Sequence, residues 1–325
     1  MTSIKRTPRT ILPGLALLLM LSACGGNDNV GPASAGAAPC DRACLLGFVD
    51  QYVAALVAHD PSRAPFAAAA RFTENAQVLA LGDALWGTAS AAPGSYQIKV
   101  ADTQSGNAGF YLLMQESGSP IWLSGRLKVE NRLITELETV VIRQGAGFGN
   151  FELSTPDPEW STVVAAAERN TRAQLFDIAD RYFESLERNL VDYVPFDDSC
   201  NRIENGVKTA NNPDVGGAGD GPGVGALSCR ENINSGMWGY ITRIAPRRYL
   251  VADEERGIAM GVFMFHQDGS VPSVNIAGYG EYQYSGATRR PFTTVIPEMF
   301  KIKNGRIYRI EATMASIPYK SASGW

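Results

Sequence analysis

The 325-residue chain repeats itself, and that constrains its fold more than any other feature. Displaced by 130 positions, Arg42-Ala43 meets Arg172-Ala173, Leu45 meets Leu175, Asp50 meets Asp180, Tyr52 meets Tyr182 and Leu56 meets Leu186. Pro65-Phe66 then meets Pro195-Phe196, and Glu74-Asn75 meets Glu204-Asn205, which makes ten identities in 34 ungapped positions. The offset widens afterwards: Trp86-Gly87 meets Trp238-Gly239, and residues 127–131 meet 300–304, with Ile134 opposite Ile307 and Glu138 opposite Glu311. The spacing predicts a tandem duplication, a first domain over 40–150 and a second over 165–325, joined by a linker over 151–164.

Each copy opens on an amphipathic helix: Leu45, Val49, Tyr52 and Leu56 recur three and four apart, as do Leu175, Ile178, Tyr182 and Leu186. A short Ala-rich helix is expected over 67–70, followed by a turn at Glu74-Asn75. Residues 109–115, 121–128 and 133–142 have strand composition, with hairpin turns at Glu130-Asn131 and Asn304-Gly305. Helices followed by antiparallel strands predict the α+β class.

The amino terminus carries an address. Lys5, Arg6 and Arg9 precede an apolar run over 11–21, too short to span a membrane as a helix and suited to a secretory signal. It ends in Leu21-Ser22-Ala23-Cys24, which resembles a bacterial lipobox and implies cleavage after residue 23 and lipidation of Cys24. Gly25 in place of Asp implies the outer membrane facing the periplasm, or the cell surface. Residues 24–39 read as a flexible tether. Loss of the signal removes three cations and moves the formal charge from −4 to −7. Such a balance, with no basic stripe, excludes nucleic acid as a partner, and two histidines in the whole chain nearly exclude a multi-histidine metal site. Four cysteines remain in an oxidising compartment and allow three pairings. The local pairs Cys40–Cys44 and Cys200–Cys229 are favoured over a zinc site. The second pair would bracket a Gly-rich insert over 209–229 that fits no dinucleotide-binding context.

The opening helix, the Thr-Glu-Asn turn (73–75), the Trp-Gly pair and the closing Lys-Ile-Lys-Asn-Gly-Arg-Ile-Tyr-Arg-Ile-Glu (301–311) resemble the SnoaL-like branch of the nuclear transport factor 2-like superfamily. The resemblance covers most of residues 40–320. It implies two cone-shaped domains, each a curved antiparallel sheet over helices with a pocket at the wide end. Arg-x-Glu-Asn-Gly (202–206) and Arg-Tyr-x-Val-x-Asp-Glu (248–254) look like a poorly characterised secreted family of fungi and bacteria. The superfamily includes dehydratases, isomerases, lyases and non-catalytic binding modules, so the resemblance speaks to fold more than to reaction.

Two readings attach to each candidate residue. Glu204 and Asn205, with Glu74 and Asn75 in the first copy, either cap a turn or place a carboxyl of raised proton affinity at a pocket mouth. Arg202, two before Glu204, shares its face as an ion-pair partner or a clamp for substrate. Trp238 and Trp86 are core or a stacking wall. Asp253 and Asp102 end a strand either in a turn or at the cone's mouth. His266 ends an apolar strand and is the imidazole favoured for proton transfer over His59. Tyr249 and Arg243 complete the second-copy set; Glu138 and Glu311 are secondary, and Tyr52 and Tyr182 read as packing.

The expectation is a cofactor-independent lyase, dehydratase or isomerase outside the cytoplasm, with no metal-ligand residues assigned and the use of a metal left open. His266, Asp253 and Glu204 would move protons on a small hydroxylated or aromatic molecule held by Arg202, Asn205, Trp238, Tyr249 and Arg243. The alternative is a non-catalytic lipoprotein that binds a ligand or partner. The oligomeric state is left open.

Overall fold

The computed structural model describes residues 40–215 and 223–325. The signal segment, the tether with Cys24 and the centre of the Gly-rich insert lie outside the described residues. Among the described residues no helix is long and apolar enough to cross a membrane.

Each half opens on the expected helix. In α1 (Arg42–Val57) the Asp41 side chain caps the first turn by accepting from the Cys44 amide, and the Cys40–Cys44 disulfide closes over that turn. In the second half, Thr171 and Gln174 form a reciprocal capping box at the start of a 17-residue helix, α2 (Arg172–Arg188), which Asn189 ends in the left-handed conformation. Both helices bury one apolar stripe, which includes Leu45, Tyr52 and Leu56 in α1 and Leu175, Tyr182 and Leu186 in α2.

Strands β1 (Phe66–Glu74), β2 (Gln77–Leu79), β3 (Ala89–Ala91), β4 (Gln97–Asp102), β5 (Asn107–Glu116), β6 (Ser119–Glu130) and β7 (Leu133–Arg143) form the first sheet. Its order is β2-β1-β7-β6-β5-β3, with β4 also paired to β5. The second half adds β8 (Phe196–Glu204), β9 (Val207–Lys208), helix α3 (Cys229–Asn234), β10 (Arg243–Asp253), β11 (Ile258–Gln267), a hairpin of β12 (Ser273–Ile276) and β13 (Gly280–Gln283), then β14 (Phe292–Lys303), β15 (Arg306–Ala312) and β16 (Ala315–Ile317). Its sheet runs β10-β11-β14-β15-β8-β9, with β16 on β14. The α+β class therefore holds, with two seven-stranded sheets.

Two expectations are corrected. The sheets are mixed rather than purely antiparallel, because β1 pairs parallel to β7 and β8 parallel to β15. The Ala-rich segment over 67–70 is part of β1, not a helix. Alanine's helical preference is a fraction of a kcal/mol per residue, of order 0.5, and it yields to the ladder on either side, where Phe66 pairs with Ile134 and Arg71 with Glu136 of β7 while the four alanines bulge between them, and to burial of Phe72 at the strand's end. The second copy signals this, since Asp197-Asp198-Ser199-Cys200 occupies the same place with no helical bias. The turns at Asn131 and Asn304-Gly305 are as expected, with positive φ at each of these residues.

One face of each sheet closes on its own helix. Tyr52, Trp86, Phe72 and Phe110 fill the first interior, and Phe183, Phe196, Phe263 and Phe300 belong to the second. The opposite faces share a third core, in which Tyr96, Ile98, Val100, Tyr111 and Trp122 meet Val251, Ile258, Met260, Val262 and Met299. The sheets approach closely there: a Cβ on Gly109 would lie 2.2 Å from the Met260 sulfur.

The polar margin of this seam is nearly two-fold symmetric. Asp102 pairs with Arg172 and accepts from the Ala252 amide at 3.0 Å. Asp253, its counterpart, pairs with Arg42 at 2.6 Å and accepts from the Ala101 amide at 3.5 Å. Each half thus offers the other the same arginine, the same aspartate and the same amide.

Candidate functional site

A cavity of about 280 Å³ lies between α2 and the second sheet. Tyr182 and Leu186, one turn apart, face it from α2. Arg202 and Glu204 face it from alternate positions of β8, and Phe292, Thr294, Ile296 and Glu298 form the corresponding row on β14. The segment before β10 adds Trp238, Tyr240 and Ile241, β11 adds Phe265 and Gln267, and Ala146, Gly147 and Phe148 reach over from the end of the first half.

The Cys200–Cys229 disulfide positions part of this wall. It ties α3 to β8, and Asn232 on α3 then accepts from Arg202 Nη2 at 3.0 Å and from the Trp238 indole at 3.1 Å. Arg202 is fully buried, and three more of its five N–H donors go to Thr209 Oγ1, the Thr209 carbonyl and the Tyr182 hydroxyl. Its Nε also stands 3.4 Å from Glu204, and its guanidinium lies 5.3 Å from the centre of the Trp238 ring. With four of its five N–H donors spent on the protein, Arg202 acts on the cavity through charge rather than as a bidentate clamp.

Glu298 is buried at 2% exposure. Burial pushes its carboxyl well above the usual carboxylate range, and the negative charge of Glu204 pushes it further, against the opposing pull of Arg202 and a Tyr182 hydrogen bond. Gln267 donates to the carbonyls of Ala287 and Arg290, while its buried Oε1 has no hydrogen-bond partner. The cavity therefore sets two carboxyls and the hydroxyls of Tyr240, Thr294 and Ser316 against aromatic and aliphatic walls.

Of the residues anticipated from sequence, Arg202, Glu204, Asn205, Trp238 and His266 come together here; Asp253, Tyr249 and Arg243 do not. Asp253 lies in the seam, as does Asp102. The Tyr249 hydroxyl donates to Asp180 at 2.7 Å, and Arg243 is exposed at the start of β10. His266 borders the cavity, but its ring is turned to Thr293, on the opposite face of β14 from Thr294. Nε2 donates to the Ala245 carbonyl at 2.7 Å, and Nδ1 lies 2.7 Å from the Thr293 hydroxyl, which accepts from the Lys320 amide. Both ring nitrogens are occupied, so His266 is held as a structural side chain.

Asn205 and Asn75 play the same structural role. Each has positive φ and brackets the backbone beside it, Asn205 through Met314 in the link between β15 and β16, and Asn75 through Val141 in β7. Glu74 accepts from the Leu85 amide at 3.1 Å and pairs with Arg143 at 3.3 Å. Trp86 is buried, edge-on to Tyr52 and Phe66. Glu138 and Glu311 also face the seam, toward Arg248 and Tyr96 respectively. The first half carries Phe72 where the second has Arg202, and Gly125 where it has Glu298, as the strand registers show.

Glu298 is the functional candidate that sequence reasoning missed. Its signal is a lone carboxyl within Val295-Ile296-Pro297-Glu298-Met299-Phe300, where alternation alone does not say which face is lined by protein and which by a cavity. Among the described residues no cluster of three or more His, Cys, Asp or Glu is arranged to hold a metal ion.

Residues 168–314 match a domain of unknown function, DUF8021. The matched stretch runs from just before α2 to just past β15 and holds every cavity-lining residue except Ala146, Gly147, Phe148 and Ser316. No curated protein and no solved structure matches the chain.

Proposed function

We propose that the cavity of the second half carries out acid–base chemistry of the lyase, dehydratase or isomerase type on a small hydroxylated or aromatic molecule. The observation that carries this reading is the pairing of buried Glu298 with Glu204 on one largely apolar cavity. In a dehydration, Glu204 would take the proton from carbon while protonated Glu298 gives its proton to the departing hydroxyl. The substrate becomes an alkene plus water, and proton exchange with solvent resets the two carboxyls. The Tyr240 hydroxyl, rather than the Arg202 guanidinium, would donate to developing negative charge. His266 and Asp253 have no part in this scheme.

The same proposal includes the setting. Two disulfides fit an oxidising, extracytoplasmic compartment. Paired halves with one strand plan fit tandem SnoaL-like, nuclear transport factor 2-like units on a lipoprotein anchored through Cys24. We further propose that its partners are this small molecule and the membrane.

The test begins with thermal-shift screening of polyols, sugar acids and small aromatics. Hits are incubated in D2O and followed by NMR for deuterium entering a C–H position or for loss of hydroxyl. Turnover abolished by Glu298→Gln and by Glu204→Gln, with binding retained, is the expected result. The second reading, a binding module without turnover, is favoured by the spent donors of Arg202. A tight ligand that shows neither exchange nor chemistry would establish it and overturn the first.

A further inference from the structure

The first half lends a wall to the cavity of the second. Residues 144–149 follow β7, all six of them exposed, and Ala146, Gly147 and Phe148 line the cavity. The segment is fixed at its two ends. On one side Arg143 donates from Nη2 to Glu116 at 2.8 Å; on the other the Asn150 amide donates to the Asn205 carbonyl at 2.8 Å, and the Asn150 carbonyl accepts from the Trp122 indole at 2.9 Å. Between these ends a turn joins the Ala146 amide to the Arg143 carbonyl at 3.1 Å, and Asn205 Nδ2 donates to the Phe148 carbonyl at 3.2 Å. Gly145 and Gly147 have positive φ, 83° and 140°, and a Cβ on either would meet no atom within 4 Å. The backbone there has both the conformational freedom and the space to move. Phe148 keeps its ring 50% exposed, although it borders a cavity whose own walls include Trp238, Tyr240, Phe265 and Phe292.

We propose that residues 144–148 are a flap that closes Phe148 over a small aromatic molecule in this cavity, so that the first half completes the site of the second. The flap rests on the reading of the cavity as a ligand site, with or without turnover. Ala146, Gly147 and Phe148 bring no polar side chain to the cavity, so the flap covers a face of the ligand without hydroxyls. A polyol would lose hydrogen bonds to water on that face with nothing in return. An aromatic occupant instead buries the exposed part of the Phe148 ring and meets it as one ring meets another. Movement exchanges one neutral hydrogen bond, Asn205 to Phe148, that water can replace. The placement follows from how the halves cross. A Cβ on Gly206 would lie 2.2 Å from the Asn150 carbonyl oxygen, and a Cβ on Gly324 would lie 2.8 Å from that of Ala76, the counterpart of Gly206. Each copy's trailing segment thus packs on the turn of the other copy, which brings Phe148 to the cavity beside Asn205.

The experiment places a thiol in the cavity wall of the full chain, by Thr294→Cys, and takes two readouts by mass spectrometry while p-cresol is titrated from micromolar to millimolar. One is labelling of that thiol by methyl methanethiosulfonate; the other is amide hydrogen exchange over residues 144–149. The expected result is that p-cresol protects the thiol and slows the exchange with one midpoint. Phe148→Ala should raise that midpoint about tenfold, and Phe148→Leu, which keeps much of the apolar contact, by less than about threefold. Protection of the thiol with unchanged exchange over 144–149, or a midpoint indifferent to Phe148→Ala, overturns the flap and leaves the cavity as a ligand site. No protection at any p-cresol concentration overturns the flap as the cover of an aromatic ligand, and the polyols and sugar acids of the thermal-shift screen then decide the cavity reading separately. Should Thr294→Cys fail to fold, Ser316→Cys puts the thiol on another wall of the same cavity.

Discussion

Replacing Asp102 by alanine probes whether the seam between the halves is a structural joint. The Asp102 side chain is 1% exposed; Oδ2 accepts from the Ala252 amide at 3.0 Å and pairs with Arg172, and Oδ1 accepts from the Gln104 and Ser105 amides, both at 3.1 Å. Losing the acceptor leaves the buried Ala252 N–H without a partner, which costs about 2 kcal/mol. The Gln104 and Ser105 amides can turn to water, and Arg172 is 30% exposed, so together these add only about 1 kcal/mol. The total, about 3 kcal/mol, corresponds to a Tm lower by roughly 4–5 °C in a chain of 325 residues. Urea titration followed by tryptophan fluorescence reads the change as a midpoint shift. Arg172→Ala, which removes only the partly exposed partner, should cost about 1 kcal/mol. Because residues 101–102 and 252–253 exchange amides and carboxylates, the Asp102→Ala/Asp253→Ala double variant should depart from additivity. A loss below about 1 kcal/mol for Asp102→Ala, with additive behaviour in the double variant, would refute the idea that these aspartates bind the halves together.

Glu311 gives a pH-dependent outcome. Burial raises its carboxyl from 4.5 to about 7, against a hydrogen bond from Tyr96. The folded state therefore holds the proton more tightly than the unfolded chain. Its contribution is complete below pH 4.5 and is lost as pH rises toward 7, by up to roughly 3 kcal/mol. Glu311→Gln should flatten that decline and gain on the wild type at pH 8; denaturant midpoints from pH 4 to 8 check it. Replacing Cys200 and Cys229 together by alanine opens a loop closed across 29 positions and should cost about 3–4 kcal/mol by loop entropy. The same change frees α3, so ligand binding in the cavity should weaken beyond what global stability explains, and parallel calorimetry and denaturation separate the two effects.

Much of the architecture was legible in the chain because it rests on local periodicity. The helices over Arg42–Val57 and Arg172–Arg188 follow from apolar residues three and four apart, and the positive-φ turns at Asn131 and Asn304 from side chains that tolerate that conformation. Both disulfides follow from proximity along the chain. The failures share another physical origin. Residues 67–70 looked helical because alanine's preference is local, whereas β7, which pairs with Phe66 and Arg71 on either side of them, is about 65 residues away. Asp102, Asp253, Glu138 and Glu311 stood out because they recur in both copies, yet recurrence arose from a seam that both copies build together.

By itself, then, the sequence determined that there are two copies of one plan, each opening on a helix that feeds a sheet, because such features depend on neighbours within a few residues and on similarity between the halves. Only the tertiary structure decided which face of each strand looks inward to a cavity and which looks across to the other half. Alternation defines two faces but does not say what covers them. Packing of the sheets back to back assigned one face to the seam, removing Asp253 from the site, and left the other to Arg202, Glu204 and Glu298 around a cavity, where the first half has Phe72 and Gly125 in place of Arg202 and Glu298.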